Sequence, residues 1–148
     1  MKMLAAILIL IISETVSAEL VINEVMVNEP EGYTTLEWIE LYNNSDSTVE
    51  LVDYKLDVNG SIYSLPSKSV FSYDYILIVR KLFKRGGTTS FESYWGNDSD
   101  IWGDNPFEMT TDEPIEVSFS LANSSGMIQL FKSISVVSIF SWDNAGID

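Results

Sequence analysis

The chain has 148 residues, no cysteine, no histidine and a formal net charge of −14 at pH 7. The missing residue types exclude disulfides, thiolate or imidazole metal sites, and Ser-His-Asp or Cys-His catalysis. A surface this acidic repels nucleic acids and anionic lipids, so we expect no nucleic-acid partner. Stability must come from the packing of the core or from bound ions.

Residues 1–18 have the pattern of a secretory signal peptide. Lys2 provides the basic start, residues 4–12 are apolar, and the segment closes on Val16-Ser17-Ala18. The apolar run is shorter than the roughly 20 residues of a membrane-spanning helix. We predict a signal peptide over 1–18, one domain over 19–148 without a membrane span, and a secreted or cell-surface location. A buried N-terminal strand or helix is the alternative.

Two strands are predicted first, over residues 20–27 and 36–43. In the second strand, Ile39 and Leu41 fall on one face, and Trp38, Glu40 and Tyr42 on the other. Large residues on both faces indicate a central strand that is covered on both sides.

The middle of the chain predicts a hairpin and a longer strand. Over residues 52–58, alternation places Val52, Tyr54, Leu56 and Val58 on one face, typical of a strand with one face in water. Asn59-Gly60 favours a two-residue type I′ turn into a short return strand. Residues 70–79 predict the longer strand.

Residues 86–116 combine eight carboxylates with five aromatic residues, a composition that is not that of a disordered linker. We predict a long, partly packed loop with a helical turn near 91–95. The preceding segment, 80–85, holds four basic residues. Pairing of this basic cluster with the acidic loop is the favoured interpretation, and an anionic patch on a partner is the alternative.

Order is predicted to return at 117–121, followed by a final strand pair over 127–131 and 134–142. Ile134, Val136, Phe140 and Trp142 are expected on one face of the last strand. The total is about seven strands with turns every 8 to 12 residues. This pattern predicts an all-β, antiparallel β-sandwich with one long acidic and aromatic loop.

Four segments resemble, in order and spacing, the lamin tail domain family: residues 22–25, 37–43, 51–56 and 120–130. The resemblance implies an immunoglobulin-like sandwich that is non-catalytic and binds a protein or a cell-surface component. Exported prokaryotic relatives often accompany hydrolase or adhesion modules. Tyr54 stands where the family usually has Trp, so its hydroxyl is expected to reach water. Ser138 stands near a usual Asp, which implies a differently closed final hairpin.

The best ligand candidate is the loop at 97–105. Asp98, Asp100 and Asp104, near Gly103, have the composition of a calcium site, although the spacing is not that of an EF-hand. A turn-rich loop that solvates itself is the alternative. Trp95 and Trp102 flank the loop and could stack on sugar rings, or could fasten the loop to the sandwich.

The remaining candidates for acid–base chemistry are Glu24, Glu37 and Glu40. Paired carboxylates can hydrolyse glycosides, and Glu24 and Glu40 could approach each other. Hydrogen bonding to backbone amides and neighbouring side chains is nevertheless the favoured interpretation.

We predict a non-catalytic exported binding module. The alternative is a calcium- or carbohydrate-binding accessory domain of a secreted hydrolase, and a glycosidase is third.

Overall fold

The computed structural model describes residues 19–85, 87–110 and 112–143, so the predicted signal peptide lies outside the described residues. The elements are β1 (Leu20–Met26), β2 (Trp38–Asn43), β3 (Val49–Glu50), β4 (Tyr54–Val58), β5 (Ser61–Ser64), β6 (Ser69–Val70), β7 (Tyr75–Val79), α1 (Phe91–Trp95), β8 (Ile115–Glu116), β9 (Ser125–Lys132) and β10 (Ser135–Asp143). Single 3₁₀ turns occupy Pro30–Gly32, Thr34–Leu36, Leu51–Asp53 and Glu108–Thr110.

Two four-stranded sheets form the sandwich. The first has the order β1-β2-β7-β8, the second β10-β9-β4-β5, and β3 and β6 form a separate short pair. Seven of the described strands have four or more residues, so the predicted all-β, immunoglobulin-like sandwich is confirmed. One pairing differs from the prediction, because β7 and β8 run parallel.

The core lies between the sheets. Ile39 and Leu41 of β2 are fully buried and belong to one cluster with Leu56 of β4 and Leu130 of β9. Their outward neighbours Trp38, Glu40 and Tyr42 are half-buried. β2 lies between β1 and β7, as predicted for a central strand. Burial of each such aliphatic side chain contributes about 1.5–3 kcal/mol.

The predicted Asn59-Gly60 hairpin is confirmed. The two residues have φ of 51° and 89°, and Val58 pairs with Ser61 across them. Positive φ at both positions is what a type I′ turn requires, and asparagine and glycine tolerate it best. The Asp57 carboxylate accepts a hydrogen bond from the Gly60 amide at 2.7 Å, which fixes the turn.

The structure corrects the start of the following prediction. Residues Leu51–Asp53 form a 3₁₀ turn, and β4 begins only at Tyr54. The turn buries Leu51 and leaves Val52 58% exposed, so the placement of Val52 on the core face was wrong. The side chain of Tyr54 is also buried, and its hydroxyl donates to the Glu19 carboxylate at 3.3 Å instead of reaching open water. Burial raises the pKa of Tyr54.

Two further predicted strands are placed differently. The segment 70–79 is divided into β6 and β7 by a turn in which Tyr73 has a φ of 58°. Residues 117–121 are not a strand, and the short strand lies earlier, at Ile115–Glu116. Phe119 and Leu121 nevertheless enter the core.

The last hairpin is irregular. The register of β10 against β9 shifts between Val136 and Ser138, and an extra residue in a strand exchanges its faces. Val136 is therefore 43% exposed while Val137 and Trp142 pack on the core, so the prediction that Val136 and Trp142 share one face was wrong. Ile134 lies in the turn before β10 and is 94% exposed. The Ser138 hydroxyl accepts a hydrogen bond from the Ile22 amide of β1 at 3.0 Å. This contact joins the edges of the two sheets.

Asn43, the last residue of β2, is fully buried. Its amide nitrogen donates to the carbonyls of Ser47, Val70 and Phe71 at 2.7, 3.0 and 2.9 Å. One side chain thus ties β2 to the β3–β6 pair. Among the described residues, no helix is long and apolar enough to cross a membrane.

Candidate functional site

The long segment after β7 folds over the outer face of the first sheet. Phe91 of α1 is buried in a second apolar cluster with Val79 and Leu82, against which Trp38 and Leu77 pack. Ser90 caps the N-terminus of α1, because its hydroxyl accepts from the Ser93 amide in a capping box. The predicted packed loop and its helical turn at 91–95 are confirmed.

Buried carboxylates hold this loop in shape. Glu92 is fully buried, and its two oxygens accept from the Ser99 and Asp100 amides at 2.8 and 3.2 Å. Glu108 is also buried and accepts from the Gly103 amide at 2.9 Å. The sequence analysis counted these residues only among the eight carboxylates of the loop. The Ser90-x-x-Ser93 capping pattern was the one local signal that α1 begins here and that Glu92 lies in its first turn.

The basic cluster at 80–85 pairs with acidic residues, as the favoured interpretation stated. Lys84 lies 3.1 Å from Asp98, and Arg85 lies 3.4 Å from Glu116. Both pairs are exposed and contribute about 0–1 kcal/mol each. Their main effect is to neutralise cations that would otherwise be available to a partner.

The predicted calcium ligands each have a partner within the protein. Asp98 pairs with Lys84, Asp100 accepts from the Lys84 amide at 2.7 Å, and Asp104 accepts from the Asn97 amide group at 2.8 Å. Within the described ranges, no group of three or more acidic side chains is arranged to hold a metal ion. Calcium binding by this loop stays a prediction.

A groove separates the outer face of the first sheet from the loop. Its first cavity, about 290 Å³, is lined by Glu40, Asp74, Tyr75, Leu77, Thr110 and Asp112. Its second cavity, about 220 Å³, is lined by Trp38, Glu40, Leu77, Phe91, Trp95 and Phe107. Glu40 and Leu77 line both, so the groove has an acidic end and an aromatic end that meet at these residues.

The strand register explains this division. Trp38 pairs with Val79, Glu40 with Leu77, and Tyr42 with Tyr75, so the outer face presents an apolar row, then a mixed row, then an aromatic row. The rings of Tyr42 and Tyr75 stack with their centroids 4.6 Å apart. The loop packs on the first row, where Trp38 lines the aromatic cavity, and residues of the other two rows line the rest of the groove.

The groove is negatively charged. Glu40, Asp74 and Asp112 line it, and no lysine or arginine does. In the part of the chain that the structure describes, none of these three carboxylates forms a salt bridge. Glu40 accepts from the Asn23 amide group at 2.6 Å and pairs with Glu24 across β1 and β2. The predicted proximity of Glu24 and Glu40 is confirmed, and it adds further negative charge beside the groove.

Comparison with known families tests the family resemblance that the sequence motifs suggested. The Lamin Tail Domain family matches residues 13–143. The chain belongs to this family. A search among curated proteins gives no match. Lamin tail domains are non-catalytic, immunoglobulin-like modules, which agrees with the sandwich described above.

The two tryptophans of this lamin tail domain have different positions. Trp95 lines the aromatic end of the groove and lies 4.8 Å from Phe91, centroid to centroid. Trp102 also packs on Phe91, with the ring centroids 5.9 Å apart. Both rings contact the second apolar cluster and so fasten the loop to the sheet. Of the two, Trp95 is the one that a ligand in the groove would contact.

Glu37 joins three separate segments of the lamin tail domain. It is fully buried, and its Oε2 accepts from Arg80 and from the Leu121 amide, both at 3.0 Å. Burial raises the pKa of Glu37. These contacts match the expectation that it would bond to backbone amides. They join β2, the end of β7 and the segment before β9.

Proposed function

We propose that this lamin tail domain is an exported, non-catalytic binding module whose groove holds a basic, extended segment of a protein at the cell surface. The observation that carries the proposal is the groove itself. Three carboxylates without salt bridges lie beside a wall of aromatic rings, and no basic side chain lines either cavity.

Lysine and arginine fit this combination of groups. Their alkyl stems pack on apolar surface, their charged heads are attracted to the faces of aromatic rings, and carboxylates accept their hydrogen bonds. At the junction of the two cavities, Glu40 is within reach of a head group at either end. The net charge of −14 would also attract a basic partner over a distance of about 10 Å at moderate salt.

The contacts of Glu19 agree with the export part of the proposal. Glu19 would be the first residue after cleavage. Its carboxylate pairs with Lys132 at 2.5 Å, and its carbonyl accepts from the Asn44 amide at 2.7 Å. Removal of residues 1–18 would leave all of these contacts in place. Mass spectrometry of the protein recovered from culture medium would test the cleavage site.

The binding test uses two fluorescent peptides. One alternates lysine with phenylalanine, and the other replaces each lysine with glutamate. Fluorescence anisotropy should show binding of the first peptide only, with an affinity that falls as salt rises. Glu40→Gln, and separately Trp95→Ala, should each weaken binding about tenfold or more.

Asp53→Asn provides the matched control. Asp53 is exposed and lies next to β4 of the second sheet. Its substitution by asparagine removes one negative charge, as Glu40→Gln does. Equal weakening by Asp53→Asn would mean that general charge attraction, not the groove, binds the peptide. Binding of an oligosaccharide that is lost in Trp95→Ala but kept in Glu40→Gln would favour the carbohydrate-binding accessory domain instead.

A further inference from the structure

The outer face of the second sheet exposes several large apolar side chains. Ile62 of β5 is 66% exposed, Ile139 of β10 is 57% exposed, and Val136 is 43% exposed. Ile134, in the turn between β9 and β10, is 94% exposed. A cavity of about 290 Å³ at this end of the face is lined by Lys55, Ile62, Phe131, Ser133 and Ile134. Exposed apolar side chains that are grouped in this way indicate an interaction surface.

The strand register arranges the centre of this face in two rows. In the order β5, β4, β9 and β10, the lysine row is Ser64, Lys55, Phe131 and Val136, and the aspartate row is Ile62, Asp57, Gln129 and Ile139. Each row has two apolar side chains and one charged side chain, and the two charges are opposite. Neither Lys55 nor Asp57 forms a salt bridge within the part of the chain that the structure describes.

The charge of the two rows differs from that of the rest of the protein. Together the rows are neutral, whereas the chain as a whole has a net charge of −14. The groove on the first sheet is lined by Glu40, Asp74 and Asp112. Two copies of so acidic a protein repel each other, and the repulsion is weakest where the surfaces that meet are neutral. The outer face of the second sheet is therefore where a second copy can approach.

We propose that two copies of the domain form a symmetric dimer through the outer faces of their second sheets. A twofold axis that lies in the interface and crosses the midpoint of β4 at right angles places the lysine row of each copy on the aspartate row of the other. Lys55 then faces Asp57 of the second copy, and Val136 faces its Ile139, each twice. Ile62 of the second copy lies beside Lys55, next to the cavity. The face is thus complementary to itself, as an isologous interface requires.

The size of the face predicts a weak dimer. Four strands about 4.8 Å apart, and the eight residues of β9 at about 3.3 Å each, give a face of roughly 500 Å² per copy. Stable complexes bury about 800 Å² on each partner. We therefore expect a dissociation constant on the order of 10–100 µM. The groove lies on the other sheet of each copy, so both grooves stay open and the dimer could hold a surface at two points.

Sedimentation velocity at about 1–300 µM protein tests the proposal. We expect a reversible equilibrium of monomer and dimer that shifts toward dimer as NaCl rises from about 20 to 200 mM, because salt screens the repulsion between the acidic copies. Peptide binding in the groove should respond to salt in the opposite direction. Ile139→Ser should weaken the dimer about tenfold or more. Ile101→Ser is the matched control, because Ile101 is 59% exposed and lies in the loop after α1.

A reversal of charges tests the register of the two copies. Lys55→Glu places carboxylates opposite carboxylates, and Asp57→Lys places lysines opposite lysines, so each variant alone should be about tenfold weaker as a dimer. A mixture of the two variants restores both charge pairs and should dimerise about as well as the unaltered protein. Recovery in the mixture requires that both variants are folded, so misfolding cannot produce it.

A protein that stays monomeric at 300 µM and 200 mM NaCl would overturn the proposal. Equal weakening by Ile101→Ser and Ile139→Ser would also overturn it. A dimer that is lost in Glu40→Gln and kept in Ile139→Ser would place the contact at the groove instead. A mixture of the folded charge variants that remains monomeric would refute the predicted register. Asp57 also accepts from the Gly60 amide, and if Asp57→Lys does not fold, the comparison of the two isoleucine variants still decides.

Discussion

Leu41 provides the sharpest test of how the first sheet is packed. It is fully buried at the centre of β2, with Ile22 of β1 and Ile76 of β7 as its cross-strand neighbours and the second sheet opposite. Leu41→Ala removes buried methyl groups where strands on both sides hold the walls apart. We therefore expect the upper part of the usual range, a loss of about 3–5 kcal/mol in the free energy of unfolding.

For a domain of this size, each kcal/mol lowers the Tm by roughly 3–5 °C, so the variant should melt about 9–25 °C below the unaltered protein. Circular dichroism melts and urea titrations would measure both quantities. Leu41→Asp should not fold, since it encloses an unpaired carboxylate. Val52→Asp is the control, because Val52 is 58% exposed. The reasoning fails if Leu41→Ala melts within 2 °C of the unaltered protein, or if Val52→Asp unfolds the domain.

Three other substitutions test separate contacts. Asn43→Ala leaves three carbonyls without their donor and should lower the free energy of unfolding by about 3 kcal/mol in urea titrations. Gly96→Ala would place a methyl group against the Glu92 carbonyl. It should lower the free energy of unfolding by about 1–3 kcal/mol and speed hydrogen exchange in the loop. An unchanged exchange rate would contradict this packing. Lys132 lowers the pKa of Glu19 below its ordinary value of 4.5. The pair therefore stabilises the fold above that pH and is lost as the pH falls through the lowered pKa. Glu19→Gln should cost at most about 1 kcal/mol at pH 7 and nothing near pH 2, in melts across that range.

Hydrophobic alternation identified the strands whose two faces differ in chemistry. It placed Ile39, Leu41, Leu56 and Val58 correctly, because a strand with one face in the core cannot shift by one residue without exposing that face. The Asn59-Gly60 turn was equally predictable, since few residue pairs tolerate its backbone. The family motifs coincide with these same segments.

Errors arose where the backbone departs from a regular strand. The 3₁₀ turn at Leu51–Asp53 buries Leu51 in place of Val52, and the bulge before Ser138 reverses the faces of the last strand. Neither irregularity contains a proline or glycine that would mark it. Both make contacts with distant segments, since the Leu51 amide donates to the Lys68 carbonyl and the Ser138 hydroxyl accepts from the Ile22 amide. A local sequence pattern cannot contain such contacts.

The groove was beyond sequence reasoning for a related reason. Glu40 could be placed on the outer face of β2, but its neighbours Phe107 and Asp112 come from a loop some 70 residues later. The acidic composition of the loop led instead to the prediction of a calcium site at residues 97–105. The structure shows that the most acidic stretch is largely occupied by its own hydrogen bonds and by Lys84.

The distribution of the few basic residues leaves the carboxylates that line the groove without a cation partner among the described residues. Arg80, Lys84 and Arg85 each pair with a carboxylate outside the groove. None of these three cations lines the groove, so none of them neutralises Glu40. A partner with lysine or arginine side chains would find in this groove carboxylates that have no internal cation to displace, beside rings that can take up its apolar stems. An acidic surface alone would attract such a partner, whereas this arrangement would also fix where along the sheet it binds.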